Sequence, residues 1–155
     1  MIRLILLSLC TTILYLLPTA LSAQTTVFVS ERASDPDLTL KISEKVSFPD
    51  IKVEIGRRIS FEDITVGMTK NRNKADYIIA DSQLRASKSV RLDSRTAFPD
   101  LTILYGNDIS FPDVRIEVHD DEYFRADVLI YTEKATISEQ EIIGCLIDLI
   151  KKKAD

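Results

Sequence analysis

Aspartate returns in this chain on a count. Asp37, Asp50, Asp63 and Asp76 stand 13 residues apart, Ser89 continues the series, and Asp100, Asp113 and Asp127 follow at intervals of 11, 13 and 14. After each anchor the apolar residues fall on every second position: Leu38, Leu40, Ile42; Ile51, Val53, Ile55; Ile64, Val66, Met68; Tyr77, Ile79; Val90, Leu92; Leu101, Ile103, Tyr105; Val114, Ile116, Val118; Val128, Ile130. Alternation of this kind marks a strand with one buried face. Eight short strands are therefore expected between Leu38 and Thr132.

A longer echo lies over the short one. Phe48 and Phe61 recur as Phe98 and Phe111, 50 residues on, each two places before an anchor. Pro49, Pro99 and Pro112 stand between, where a fixed φ and a missing N–H suit the start of a strand. The phenylalanines are expected to fold under and cap the core. The aspartates are expected to tie down their own turns by accepting backbone hydrogen bonds. A strict solenoid would instead stack them about 4.8 Å apart, a spacing at which calcium could neutralise them.

The tail changes period. Ile142, Ile143, Leu146, Leu149 and Ile150 recur at three and four residues, one stripe of a helix. Ser138 and Glu141 form a capping box, Ile137 is placed to staple onto Ile142, and Lys151, Lys152 and Lys153 sit at the negative end of the helix dipole. The pattern predicts one helix over about 139–153, packed on the strands near Leu129 and Tyr131. The Tyr77, Leu101 and Val128 strands are apolar on both faces and are expected in the middle of a sheet.

Residues 1–23 read as an export signal: Arg3, an apolar run from Leu4 to Leu17, and a small-residue end at Ala23. At 14 residues the run is short for a membrane span. Three parts are thus expected: a signal peptide at 1–23, a repeat-strand β domain at 24–137 and a C-terminal helix at 138–153, in a protein that is exported to the periplasm or beyond. Without Cys10 the exported chain holds Cys145 alone, so stability rests on a packed core and not on disulfides. The 155 residues carry a formal charge of -4, one unit more negative once Arg3 is gone, and nucleic acid is not an expected partner.

Chemistry-bearing residues are few. Asp120, Asp121 and Glu122, beside the single histidine His119, are the weak candidates for a metal such as calcium; no other cofactor is indicated. With one histidine, no serine in a nucleophile elbow and four scattered glycines, the familiar catalytic and phosphate-binding patterns find no match.

Two runs carry a resemblance. Asp121, Glu122, Tyr123, Phe124, Arg125, Ala126 and Asp127, leading into Val128, and Ala75 to Ser82 are similar to the repeats of the 7(1) septoil knot domain family of small bacterial proteins. The likeness covers about residues 26–132. It implies an all-β domain whose backbone is threaded into a deep knot, and it implies no activity. A small two-sided β-solenoid is the alternative architecture. The chain is thus expected to be a non-catalytic structural or interaction module of the cell envelope, with an envelope protein or glycan as partner. A calcium- or glycan-binding module and a carboxylate-dependent hydrolase stand as alternatives.

Overall fold

The computed structural model describes residues 24–155, and the export signal expected at 1–23 lies outside them. Nine strands close into one barrel: β1 (Thr25–Ser30), β2 (Leu38–Ser43), β3 (Ile51–Gly56), β4 (Ile64–Thr69), β5 (Tyr77–Ile79), β6 (Lys88–Leu92), β7 (Leu101–Gly106), β8 (Val114–His119) and β9 (Val128–Thr132). Their order around the wall is β1-β5-β9-β4-β8-β3-β7-β2-β6, and every pairing is parallel. Strands adjacent in sequence, from β1 to β5, skip a place, and β6 to β9 fill the gaps. The chain winds about the axis and then winds again between its own first strands.

That order overturns the solenoid. A 13-residue solenoid pairs each coil with the next, whereas here the pairing residues are 52 or 53, or 61 or 62, apart, as in Ser89 with Asp37 and Lys52 with Asp113. No sheet has a middle either, so the strands apolar on both faces are not central ones. Of their outer side chains Ile78 is buried, 4% exposed, while Leu104, Leu129 and Tyr131 are half-buried.

Position within the unit decides what each side chain meets. In β2, β3, β4, β7 and β8 the residues one, three and five places after the anchor point inward, and with Ile79, Val90, Val128 and Ile130 they form the core around Val27 and Val29. Strand β1 escaped the sequence count because Gln24 stands where an aspartate would mark it.

A nine-stranded barrel is too wide for its wall side chains alone to fill, and the tail supplies the rest. It forms α1 (Glu139–Cys145) and α2 (Ile147–Ala154), separated at Leu146 (φ -94, ψ 10), where one continuous helix is predicted. The capping box forms as the sequence indicates, with the Ser138 hydroxyl accepting from the Glu141 N–H and Glu141 accepting from the Ser138 N–H. Six consecutive residues, Ile142 to Ile147, are buried. Six residues exceed a full turn, so all sides of the helix are covered, and a helix covered all round is an internal one.

The expected seat on the outer face near Leu129 and Tyr131 is therefore wrong. Gln140 donates to the Tyr105 hydroxyl (3.1 Å) at the carboxyl end of β7, while Asp148 pairs with Lys88 (2.6 Å) at the amino end of β6. Between them Gly144 lies against β1, where a Cβ would come within 2.8 Å of Val29 Cγ1. The helix axis thus runs down the barrel from its carboxyl-end mouth.

The anchors act across the wall. Each aspartate's Oδ2 accepts from a backbone N–H of the neighbouring strand at 2.6 to 2.8 Å: Asp37 from Ser89, Asp50 from Thr102, Asp63 from Arg115, Asp76 from Leu129, Asp100 from Thr39, Asp113 from Lys52 and Asp127 from Thr65. The anchor's own N–H donates to the carbonyl of the same residue at 2.8 to 3.0 Å. So the expectation that each ties its own turn gives way to a two-bond clip between strands. Ser87, not Ser89, is the eighth anchor: it exchanges the same bonds with Thr26. The ninth seam, β1 with β5, has the backbone bond from Thr25 to Asp76 but no side-chain clip.

Candidate functional site

Because all nine strands are parallel, all nine carboxyl ends meet at one mouth of the barrel. In parallel β architectures that end is the usual place for ligands. The helical tail enters on the side of β1, β6 and β7 and leaves the mouth open over β9, β4, β8 and β3. There a groove of about 840 Å³ is lined by Arg57, Met68, Thr69, Lys70, Asp120, Asp121, Glu122, Thr132 and the Lys134–Ile137 linker.

The connection after β8 shapes one wall. Gly67 lets it lie close: a Cβ there would stand 3.0 Å from Leu129 Cδ2 and 3.1 Å from the Asp121 carbonyl. That carbonyl accepts from the N–H groups of Met68 (3.0 Å) and Tyr123 (2.8 Å), fixing the loop to β4. His119 stacks on Tyr123 with ring centroids 3.9 Å apart and planes 14° from parallel. Its Nε2 is buried without a hydrogen bond and lies 3.4 Å from Glu117 Oε2.

The three acids expected to share a metal do not converge. Asp120 is paired with Arg57 (2.8 Å). Glu122 accepts from the Thr69 hydroxyl and pairs with Lys74 (3.0 Å). The Thr69 hydrogen bond, then Lys74, hold its carboxyl below the usual carboxylate value. Asp121 fixes the loop through its carbonyl. Among the described residues no group of three metal-ligating side chains stands close enough to hold an ion. The sequence located one wall of the groove through its acids and missed Arg57, Lys70, Lys134 and Thr136, which come from distant units with no shared motif.

A second surface lies at the amino end. Phe48, Phe61, Phe98 and Phe111, expected as core caps, are 89% to 94% exposed. The core needs no caps, since the helix fills it. Phe124, before Asp127, and Leu84, before Ser87, are exposed as well. The five phenylalanines precede β9, β4, β8, β3 and β7, five neighbouring strands, and so form one arc. Phe61 (φ 60) and Phe111 (φ 54) adopt the left-handed backbone region. That conformation costs a bulky residue about 1–2 kcal/mol. Arg58 and Arg95 each stand three places before a phenylalanine of the arc, and the Arg125 guanidinium lies 5.1 Å from the Phe124 ring centre.

Cys145 is buried in the helix–barrel core, and burial pushes its thiol up to about 12, which leaves it a packing residue. No described helix is long and apolar enough to cross a membrane. Set against known proteins, the chain matches no family model, no curated protein and no solved structure.

Proposed function

We propose that the chain is an exported, non-catalytic interaction module of the cell envelope, and that it holds a protein partner on the phenylalanine arc. The observation that carries this reading is the pair Phe61 and Phe111: large apolar side chains in an unfavourable backbone conformation that none of the described residues covers. Strain at exposed positions points to a functional demand. A closed barrel has no free sheet edge, so a partner cannot bind by adding a strand. Recognition then falls to side chains on the connections. Aromatic residues with arginines beside them are the composition of binding hot spots.

The test is photocrosslinking from position 58, three places before Phe61, in the cell of origin, with wild type set beside a Phe48→Ser, Phe61→Ser, Phe98→Ser, Phe111→Ser variant. A discrete crosslinked species lost in the fourfold variant supports the reading. Equal retention in the envelope and an unchanged crosslink pattern sink it. Metal has no part in this reading, and equal melting temperatures in calcium and in chelator are expected.

For the fold, we propose the threaded backbone of the septoil knot family. The support is the interleaved strand order, in which a second lap of chain passes between the strands of the first. Partners 52 and 61 residues apart already make folding slow, and threading makes it slower. Complete refolding within milliseconds from the fully denatured chain would speak against threading.

A further inference from the structure

We propose that the carboxyl-end mouth of the barrel is a second binding site, independent of the phenylalanine arc, and that its ligand is a neutral oligosaccharide. The mouth of a β-barrel is a preferred place for a ligand, and about 840 Å³ is within the range of ligand sites and open along one side, so that a chain of rings can lie in it.

The charges choose the ligand. The lining carries three cations, Arg57, Lys70 and Lys134, and three carboxylates, Asp120, Asp121 and Glu122, so the groove has no net charge to attract an ion. Most of these groups are already committed: Arg57 to Asp120, Glu122 to Thr69 and Lys74, and Lys134 to Glu141. A charged ligand would have to exchange one of these largely exposed pairs for another of the same kind, which gains it little. A hydroxyl group need not, because it accepts from a cation and donates to a carboxylate at once, using the lone pairs and N–H groups that each ion pair leaves over. Met68 and Ile137 add apolar surface for the faces of the rings.

The experiment is a titration of 15N-labelled protein with cellotetraose, maltotetraose and tetra-N-acetylchitotetraose, each to about 10 mM, enough to fill a millimolar site. At least one is expected to move the amide resonances of Lys70, Asp121 and Thr136 together and to leave those of Phe61 and Phe111 in place. Arg57→Met or Thr136→Val is expected to weaken that sugar about tenfold, whereas Lys45→Met leaves it unchanged. The proposal is overturned if none of the three sugars moves these resonances or if the shifts map elsewhere. Unchanged affinity in both groove variants overturns it too, as does a sulfated oligosaccharide or a zwitterionic peptide filling the mouth where the neutral sugars do not. Loss of crosslinking at the phenylalanine arc has no bearing on any of these readings.

Discussion

The Asp113 carboxylate accepts a hydrogen bond from the Lys52 N–H at 2.7 Å, while the Asp113 N–H donates to the Lys52 carbonyl at 2.9 Å. Sixty-one residues separate the two, and the same exchange recurs at seven other seams. The exchange is therefore a test of what the aspartates do. Asp113→Ala is expected to lower stability by about 1 kcal/mol, the range for a lost backbone cap at an exposed site. Asp113→Ser, which copies Ser87, is expected to recover most of that in chemical denaturation. Equal loss in both variants would mean that the hydrogen bond is not the cause.

Acid should weaken the fold in a defined window. Asp37 is held below its usual 3.8, first by the Ser89 backbone N–H and then by the Ser89 hydroxyl, and Glu122 below its usual 4.5, first by Thr69 and then by Lys74. A carboxyl lowered by folding stabilises the protein fully above its unfolded value. That contribution is lost as pH falls through the lowered folded value. Melting temperature is thus expected to decline from about pH 4.5 downward, with a smaller decline in Glu122→Gln. A variant that tracks wild type across the window would remove Glu122 from the account.

Gly144 separates two rules of opposite sign. By helix propensity alone, Gly144→Ala should stabilise by about 1 kcal/mol. With a Cβ 2.8 Å from Val29 Cγ1 the barrel has no room for it, and the expected outcome is a loss of about 1–3 kcal/mol. The double variant with Val29→Ala should regain part of the loss in equilibrium denaturation, because it opens the space the new methyl needs.

Cys145 reports on the enclosure of the tail. Buried, and with its thiol pushed up to about 12, it is expected to resist iodoacetamide at pH 8 until the barrel unfolds. Mass spectrometry across a denaturant series checks this, and modification should rise with the global transition. Full labelling of the native protein would place the helix outside the lumen.

At Phe61 stability and binding should part. Phe61→Gly removes the side chain that the left-handed backbone disfavours, and an increase in stability of about 1 kcal/mol is expected from thermal melts. Crosslinking through the arc should fall in the same variant. A destabilised variant would mean that the ring is held by packing.

How much of this the sequence disclosed depends on the range of each interaction. Leu40, Val53 and Ile103 announce an inward face because alternation is local, and Ser138 with Glu141 announces a helix start for the same reason. Partnership is not local. Nothing near Asp50 says that it will meet Thr102, and the count that placed the eighth anchor at Ser89 missed it by two residues because the short unit lies between Asp76 and Ser87. The phenylalanines were misplaced for a related reason: a large apolar residue in a repeat is normally covered, and only closure around the tail removes the core it would have covered. On the groove, Asp120 to Glu122 stand together in sequence and could be seen, whereas Arg57 and Lys134 arrive from other laps of the chain.

The interleaving of β6 to β9 among β1 to β5 bears on how the molecule comes into being. As the chain emerges from its amino terminus, the strands of the first lap find no mates among themselves except β1 with β5. A fragment stopping at Ser87 is a set of spokes without a rim. Such a polypeptide cannot settle piece by piece while it is being made. It stays open until nearly its whole length is present.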